Sequence, residues 1–111
     1  MDRNIKKFLF DISEAIEHIE DYTGSPKIFA NYEKNKQLQQ AVERNLEIIG
    51  EATKRILEIE SSINISNVRR IVDARNRIIH GYDEIDNTEI WSIINNSLPI
   101  LKEEINKLLN S

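Results

Sequence analysis

Between Asp73 and Tyr82 the chain reads Asp-Ala-Arg-Asn-Arg-Ile-Ile-His-Gly-Tyr. Arg75 precedes His80 with four residues between them, and Tyr82 follows after one more, giving Arg-x4-His-x-Tyr with Asn76 directly behind the arginine. Imidazole gains and loses a proton near neutral pH, so His80 is a candidate general acid or base. A guanidinium stays charged and matches phosphate oxygens, so Arg75 is a candidate for holding the charge of a phosphorane-like transition state. Asn76, one turn before His80, can hydrogen-bond the imidazole or a phosphate oxygen. Together these groups fit RNA cleavage without a metal, because RNA carries its own nucleophile, the 2′-hydroxyl. The same residues also compose a solvated helix face with one paired arginine and a histidine near a helix C-terminus, where the dipole favours a cation. Spacing alone leaves both readings open.

Val68, Ile71, Val72, Ala74, Ile78 and Ile79 recur at helical spacing, which predicts an amphipathic helix ending at Gly81. On a helical wheel with Ile71 at the origin these apolar residues span an arc of roughly 160°, and Arg75 falls inside it at about 40°. An arginine there has to snorkel, pair with a carboxylate, or sit where the core opens onto a second surface. Glu47 and Glu51 are candidate partners, while Glu43, Arg44 and Asn45 are further polar residues able to line the same cleft. His80 falls at about 180°, on the polar side, so it is not expected in the core. Arg75 and His80 thus diverge by roughly 140° on one ideal helix. A two-fold dimer that sets two such helices side by side would bring both types of side chain to a shared cleft.

The run Arg75-Asn76-x-x-x-His80-Gly81-Tyr82 resembles the Arg-x4-6-His signature of HEPN domains, in the Arg-x4-His-x-Tyr form found in HepT toxins of HepT–MntA toxin–antitoxin pairs. The stretch Ala41 to Ala52 is similar to the second-helix sequence of that family, and the resemblance spans nearly the whole chain. It implies an endoribonuclease with Arg75 and His80 as catalytic residues at a homodimer cleft, no metal and no cofactor. It also implies a partner, a minimal MntA-like nucleotidyltransferase that transfers AMP from ATP to the motif tyrosine, Tyr82. Bulk and negative charge placed there would repel an RNA phosphate. The alternative is a non-catalytic HEPN subunit that binds such a nucleotidyltransferase.

The remaining sequence must position these groups. At 111 residues the chain is expected to form one domain, residues 1–111, with a single helical core small enough to benefit from association. Without cysteine it has no disulfides or thiolate chemistry, which suits a reducing cytoplasm. No apolar run approaches a membrane span, and Met1-Asp2-Arg3-Asn4 reads as the start of a charged helix rather than a signal peptide. The net charge of −4 argues against a generic nucleic-acid coat. Locally the balance reverses, with four arginines and one aspartate between Arg69 and Arg77, as suits a transient RNA contact or an acidic partner.

In chain order, the first helix is expected from Asp2 to Tyr22 on the stripe Ile5, Leu9, Ile12, Ile16, Ile19, with His18 on an acidic face. Thr23-Gly24-Ser25-Pro26 stops it, and Phe29 and Tyr32 are expected to pack back onto the bundle, with nucleotide stacking as the alternative role for either ring. A second helix is expected from Tyr32 or Glu33 to Glu60. Its two adjacent apolar stripes, with Gly50 mid-helix, ask for a second packing partner, most simply another copy of the chain. Ser66 or Asn67 caps the motif helix. A fourth helix from Asn87 to Leu109 opens on Asp86 and Glu89 as a capping box and is kinked by Pro99. No strand-like alternation occurs, so the expected fold is all-α, an antiparallel four-helix up-and-down bundle of HEPN type.

Overall fold

The computed structural model describes residues 1–80 and 85–111. The expectations placed on Gly81 and Tyr82 therefore lie outside the described residues. The fold is all-α: helices α1 (Arg3–Thr23), α2 (Phe29–Glu33), α3 (Lys36–Ile59) and α4 (Val68–His80) precede a C-terminal rod. That rod runs through α5 (Asn87–Ser92), a π-helical turn (Ile93–Ser97) and α6 (Leu98–Leu109).

Helix α1 starts where the sequence signals it, with the Asp2 carboxylate accepting from the backbone N–H groups of Asn4 (2.7 Å) and Ile5 (3.3 Å). Ile5, Leu9, Ile12, Ile16 and Ile19 are all buried, so the stripe is the core face of the helix. They meet Val42, Leu46, Ile49 and Ile56 of α3, Ile71 and Ala74 of α4, and Ile90, Ile94, Leu98, Leu101 and Ile105 of the C-terminal rod in one hydrophobic cluster. The burial of this apolar area is the main force holding the helices together. Phe29, Tyr32 and Trp91 stack at one margin, with ring centroids 5.3–5.7 Å apart for the two Trp91 pairs. The two early aromatics therefore serve the core.

The second long helix begins later than the periodicity implies. Tyr32 belongs to the short α2, and the chain breaks at Lys34 before restarting at Lys36. Asn35 sets that break: its side-chain oxygen accepts from the N–H of Leu38 at 3.0 Å, which fixes a helix start that propensity alone does not distinguish.

Cross-chain pairs give the directions. Gly50 meets Arg75 while Leu57 and Glu58 share a groove with Val68 and Arg69, so α3 and α4 run antiparallel. Arg77 pairs with Glu89, and Arg70 reaches Ser92 and Ser97, so α4 and the C-terminal rod are antiparallel too. Lys102 bridges to Glu20 of α1 at 2.9 Å. Ser66, just before α4, donates its N–H and hydroxyl to Glu104.

One local expectation needs correcting and another gains detail. Asp86 caps α5 through the N–H of Thr88 (2.9 Å), but Glu89 does not close the box. Its carboxylate takes the Arg77 guanidinium at 2.8 Å instead, a charge-assisted bond that outcompetes a backbone N–H. Pro99 lies in the first turn of α6, and the disturbance precedes it as the π turn. Proline has no N–H to give Asn95, and its ring crowds that carbonyl. The turn widens so that the N–H of Leu98 reaches back five residues to Ile93.

Candidate functional site

Helix α4 carries the motif. The carbonyl of Asn67, a residue in the left-handed region at φ 61°, accepts the first helical bond from Ile71 at 3.1 Å. Only a narrow strip, Ile71 and Ala74, is fully buried. Val68, Val72 and Ile78 are partly covered, and Ile79 is exposed, so the apolar arc is wider than the contact the chain makes with itself.

Arg75 sits where that arc meets α3. Its aliphatic stem lies against Gly50, so close that a β-carbon built there would stand 2.5 Å from the Arg75 Cβ and 2.9 Å from its Cγ. The close approach expected of Gly50 is thus made within one chain, to α4. It needs no second copy.

The guanidinium is nearly covered, and a charge so placed requires compensation. Nη2 donates to Glu51 Oε2 at 2.6 Å, and Nη1 donates to Asn76 Oδ1 at 2.9 Å. Of the two carboxylates open to Arg75, geometry selects Glu51. Its other oxygen accepts from Arg55 Nε at 3.0 Å, so one carboxylate is shared by two guanidinium groups. Asn76 therefore acts on the arginine rather than on the imidazole. The Glu51 and Asn76 bonds use one hydrogen on each terminal nitrogen, leaving one N–H on each.

Beside the guanidinium a cleft of about 320 Å³ opens between α1, α3 and α4. Phe8, Ile48, Ala52 and Ile79 supply apolar walls, and Asp11, Arg44 and Glu47 supply polar edges together with the Arg75–Glu51 pair. Of the further candidates, Arg44 and Glu51 line this cleft while Glu43 and Asn45 do not. Asn45 is buried and donates to the carbonyl of Ala41. Glu43 has its carboxyl pushed above the ordinary range, first by burial and then by Glu47. The Tyr32 hydroxyl is raised as well, by burial and then by Glu43.

His80 is exposed at the last position of α4 and is not among the residues lining the Arg75 cleft. One chain therefore places the two motif side chains on different surfaces of the helix, as their angular separation implies. His18 of α1 tilts over Tyr22 at 6.2 Å between ring centroids. Among the described residues, no cluster of His, Asp or Glu could hold a metal ion, and no helix is long and apolar enough to cross a membrane.

The polar tie between Arg70 and Ser92 and Ser97 was not read from the sequence. Its only signal there is the five-residue spacing of the two serines ahead of a proline.

Comparison with known proteins agrees with this setting. The family model described as Ribonuclease HepT-like matches residues 12–108. A Thermococcus cleftensis protein named Probable ribonuclease HepT is 37% identical over 97% of this chain and 98% of its own length. A Methanocaldococcus jannaschii protein carrying an RNase name is 32% identical over 96% of this chain and 88% of its own. A second protein of that organism, whose name couples a gamma-glutamylcyclotransferase to an RNase, is 36% identical over 98% of this chain, which spans 49% of its length. No solved structure matches the chain at a significant level.

Proposed function

The chain belongs to the HepT-like ribonuclease family, and from that premise we propose that it is a metal-independent endoribonuclease acting through Arg75 and His80 at a two-fold dimer cleft. The observation that carries the reading is the preparation of Arg75: a guanidinium held by Glu51 and Asn76, its stem fixed against Gly50, facing an open cleft. Two terminal N–H groups remain for the non-bridging oxygens of a phosphodiester, and a donor set in place before charge develops lowers the barrier without further reorganisation. His80 moves the protons, taking one from the 2′-hydroxyl or giving one to the departing 5′-oxygen. The products are a 2′,3′-cyclic phosphate or its 3′-phosphate hydrolysis product, and a 5′-hydroxyl.

The dimer supplies what one chain separates. Val68, Val72 and Ile79 leave apolar surface along α4, flanked by Leu57 and Ile48 of α3, and a second copy packed there would set the His80 of one chain near the Arg75 of the other. Family membership supports a toxin role in the cytoplasm. Its antitoxin is an MntA-like nucleotidyltransferase that blocks the cleft by adding AMP to Tyr82, which lies outside the described residues.

The test is cleavage of RNA in excess EDTA by the wild type and by His80→Ala, with end groups analysed and oligomeric state measured on the same sample. Cyclic-phosphate ends from a wild-type dimer alone support the reading. Equal cleavage by both proteins, or full activity of a monomer, overturns it. If neither protein cleaves, intact mass decides: an AMP-sized increment at Tyr82 after coexpression with the partner marks a silenced enzyme, and its absence favours the non-catalytic subunit.

A further inference from the structure

Three of the arginines on α4 are tied down, and they are tied differently. Arg75 holds Glu51 and Arg77 holds Glu89, so each meets a carboxylate. Arg70 is half-buried, and its partners are hydroxyls: Nη2 donates to Ser92 Oγ at 2.9 Å and Nη1 to Ser97 Oγ at 3.4 Å. Asp73, three residues further along the helix, forms no ion pair with it within the described residues, and Glu89, the acidic residue nearest to Ser92 in sequence, is engaged by Arg77. Neutral oxygens satisfy donors but cancel no charge, so this guanidinium keeps its full positive field.

The π turn makes this arrangement possible. In a regular α-helix residues five apart diverge by roughly 140°. In the turn Ile93–Ser97 the bonding reaches back five residues, which brings Ser92 and Ser97 toward one side, where a single guanidinium spans both. Ser92 Oγ also accepts from the Asn96 side chain at 3.1 Å. A hydroxyl accepting two bonds still has its own proton to donate. Arg70, Ser92 and Asn96 thus form a cluster rich in donors, with no carboxylate among the described residues bound to it, on an otherwise acidic protein.

We propose that Arg70, Ser92 and Asn96 form a second phosphate-binding site that holds the RNA backbone away from the scissile bond. The proposal rests on the ribonuclease reading and extends it to the path of the substrate. Arg70 precedes His80 by ten positions on the same helix, on the order of 15 Å along the axis. A strand running along α4 from His80 meets this cluster a few nucleotides from the cut. An acidic protein surface is the competing occupant; RNA is favoured because the site lies on the same helix as His80, roughly 80° around it.

The test uses a labelled oligoribonucleotide with 2′-O-methyl groups, which cannot be cleaved by 2′-hydroxyl attack, and measures its affinity for the full-length protein across a salt series. Loss of one charged phosphate contact in Arg70→Gln lowers affinity about tenfold. The salt dependence of log K also falls by about 0.7, the value for one single-strand phosphate. Asn96→Ala, an exposed change that leaves the fold alone, weakens binding in the same direction by a smaller factor. Wild-type affinity and slope in both variants would overturn the proposal, and so would a weaker affinity with an unchanged slope, which marks a structural role for Arg70. Intact RNA binding by Arg70→Gln with loss of the nucleotidyltransferase on copurification would assign the cluster to a protein contact instead. Cleavage in EDTA by the wild type and His80→Ala is run in parallel. Failure there removes the catalytic reading without touching the salt slope, so the two failures are distinguishable.

Discussion

Replacing Gly50 by alanine separates the aim of Arg75 from the stability of the fold. The added β-carbon would stand 2.5 Å from Arg75 Cβ and 2.9 Å from Cγ, with the Ile71 carbonyl oxygen at 3.4 Å. Carbon atoms in good contact sit roughly 3.5–4.0 Å apart, so α3 and α4 have to part by about 1 Å. The obstructed atoms are the rigid base of the side chain and a backbone oxygen, so rotating a side-chain tip gives no relief. Overpacking of this kind costs about 1–3 kcal/mol, and the better helix propensity of alanine returns about 1 kcal/mol. The net loss of up to about 2 kcal/mol lowers the melting temperature by up to roughly 8 °C in a domain of this size. Activity falls further, because a misplacement near 1 Å costs on the order of a hundredfold in rate. The assay pairs thermal melting by circular dichroism with RNA cleavage at a temperature where the variant remains folded. Higher stability with full cleavage would refute the contact itself. A lower melting temperature with normal cleavage would refute the link between the stem of Arg75 and its catalytic aim.

Three other substitutions test the surroundings of the site. Glu51→Ala removes the counter-charge of a nearly covered arginine; a loss of about 1 kcal/mol is expected by thermal melting, small because Glu51 is itself 38% exposed. Tyr32→Phe deletes a buried hydroxyl that has no hydrogen-bond partner among the described residues, so melting should show equal or greater stability. A drop above about 1 kcal/mol would reveal a partner for that oxygen. Glu43 binds its proton more tightly folded than unfolded, so its contribution to stability declines as pH rises from the ordinary carboxylate value through the raised one. Glu43→Gln should therefore raise the melting temperature at neutral pH, with the gain vanishing below the ordinary carboxylate range. A gain that persists in acid would locate the effect elsewhere.

What the sequence made legible follows the range of each interaction. The core stripes of α1, α3 and the C-terminal rod were readable because helical spacing and burial are local and repetitive, as Ile5 to Ile19 and Ile90 to Ile105 illustrate. The buried setting of Arg75 was readable for the same reason, since an arginine in an apolar arc must find a carboxylate; choosing Glu51 over Glu47 required the helix packing. Features decided by partners distant in sequence were not readable. Glu89 looked like half of a capping box until Arg77, twelve residues earlier, reached it. Gly50 asked for a close neighbour without saying whose, and α4 of the same chain filled the place. The start of α3 is hidden for a local reason, because Asn35 has competent helix formers on both sides. The roles of Arg75 and His80 rest on the motif and the family together.

The π turn also bears on how the chain can change length. A turn that reaches back five residues spends one residue more than an α-helical turn while leaving the halves on either side at nearly the same phase, so Ile90 and Leu101 share one core across it. Deleting a single residue between Ile93 and Ser97 would let the rod close to a regular α-helix with that phase kept and the two serines still on one face, whereas deleting two would rotate one half against the other by about 100°. Single-residue gaps in related sequences should therefore be tolerated in this short window, as in the connection between α3 and α4, where added residues alter no helical phase.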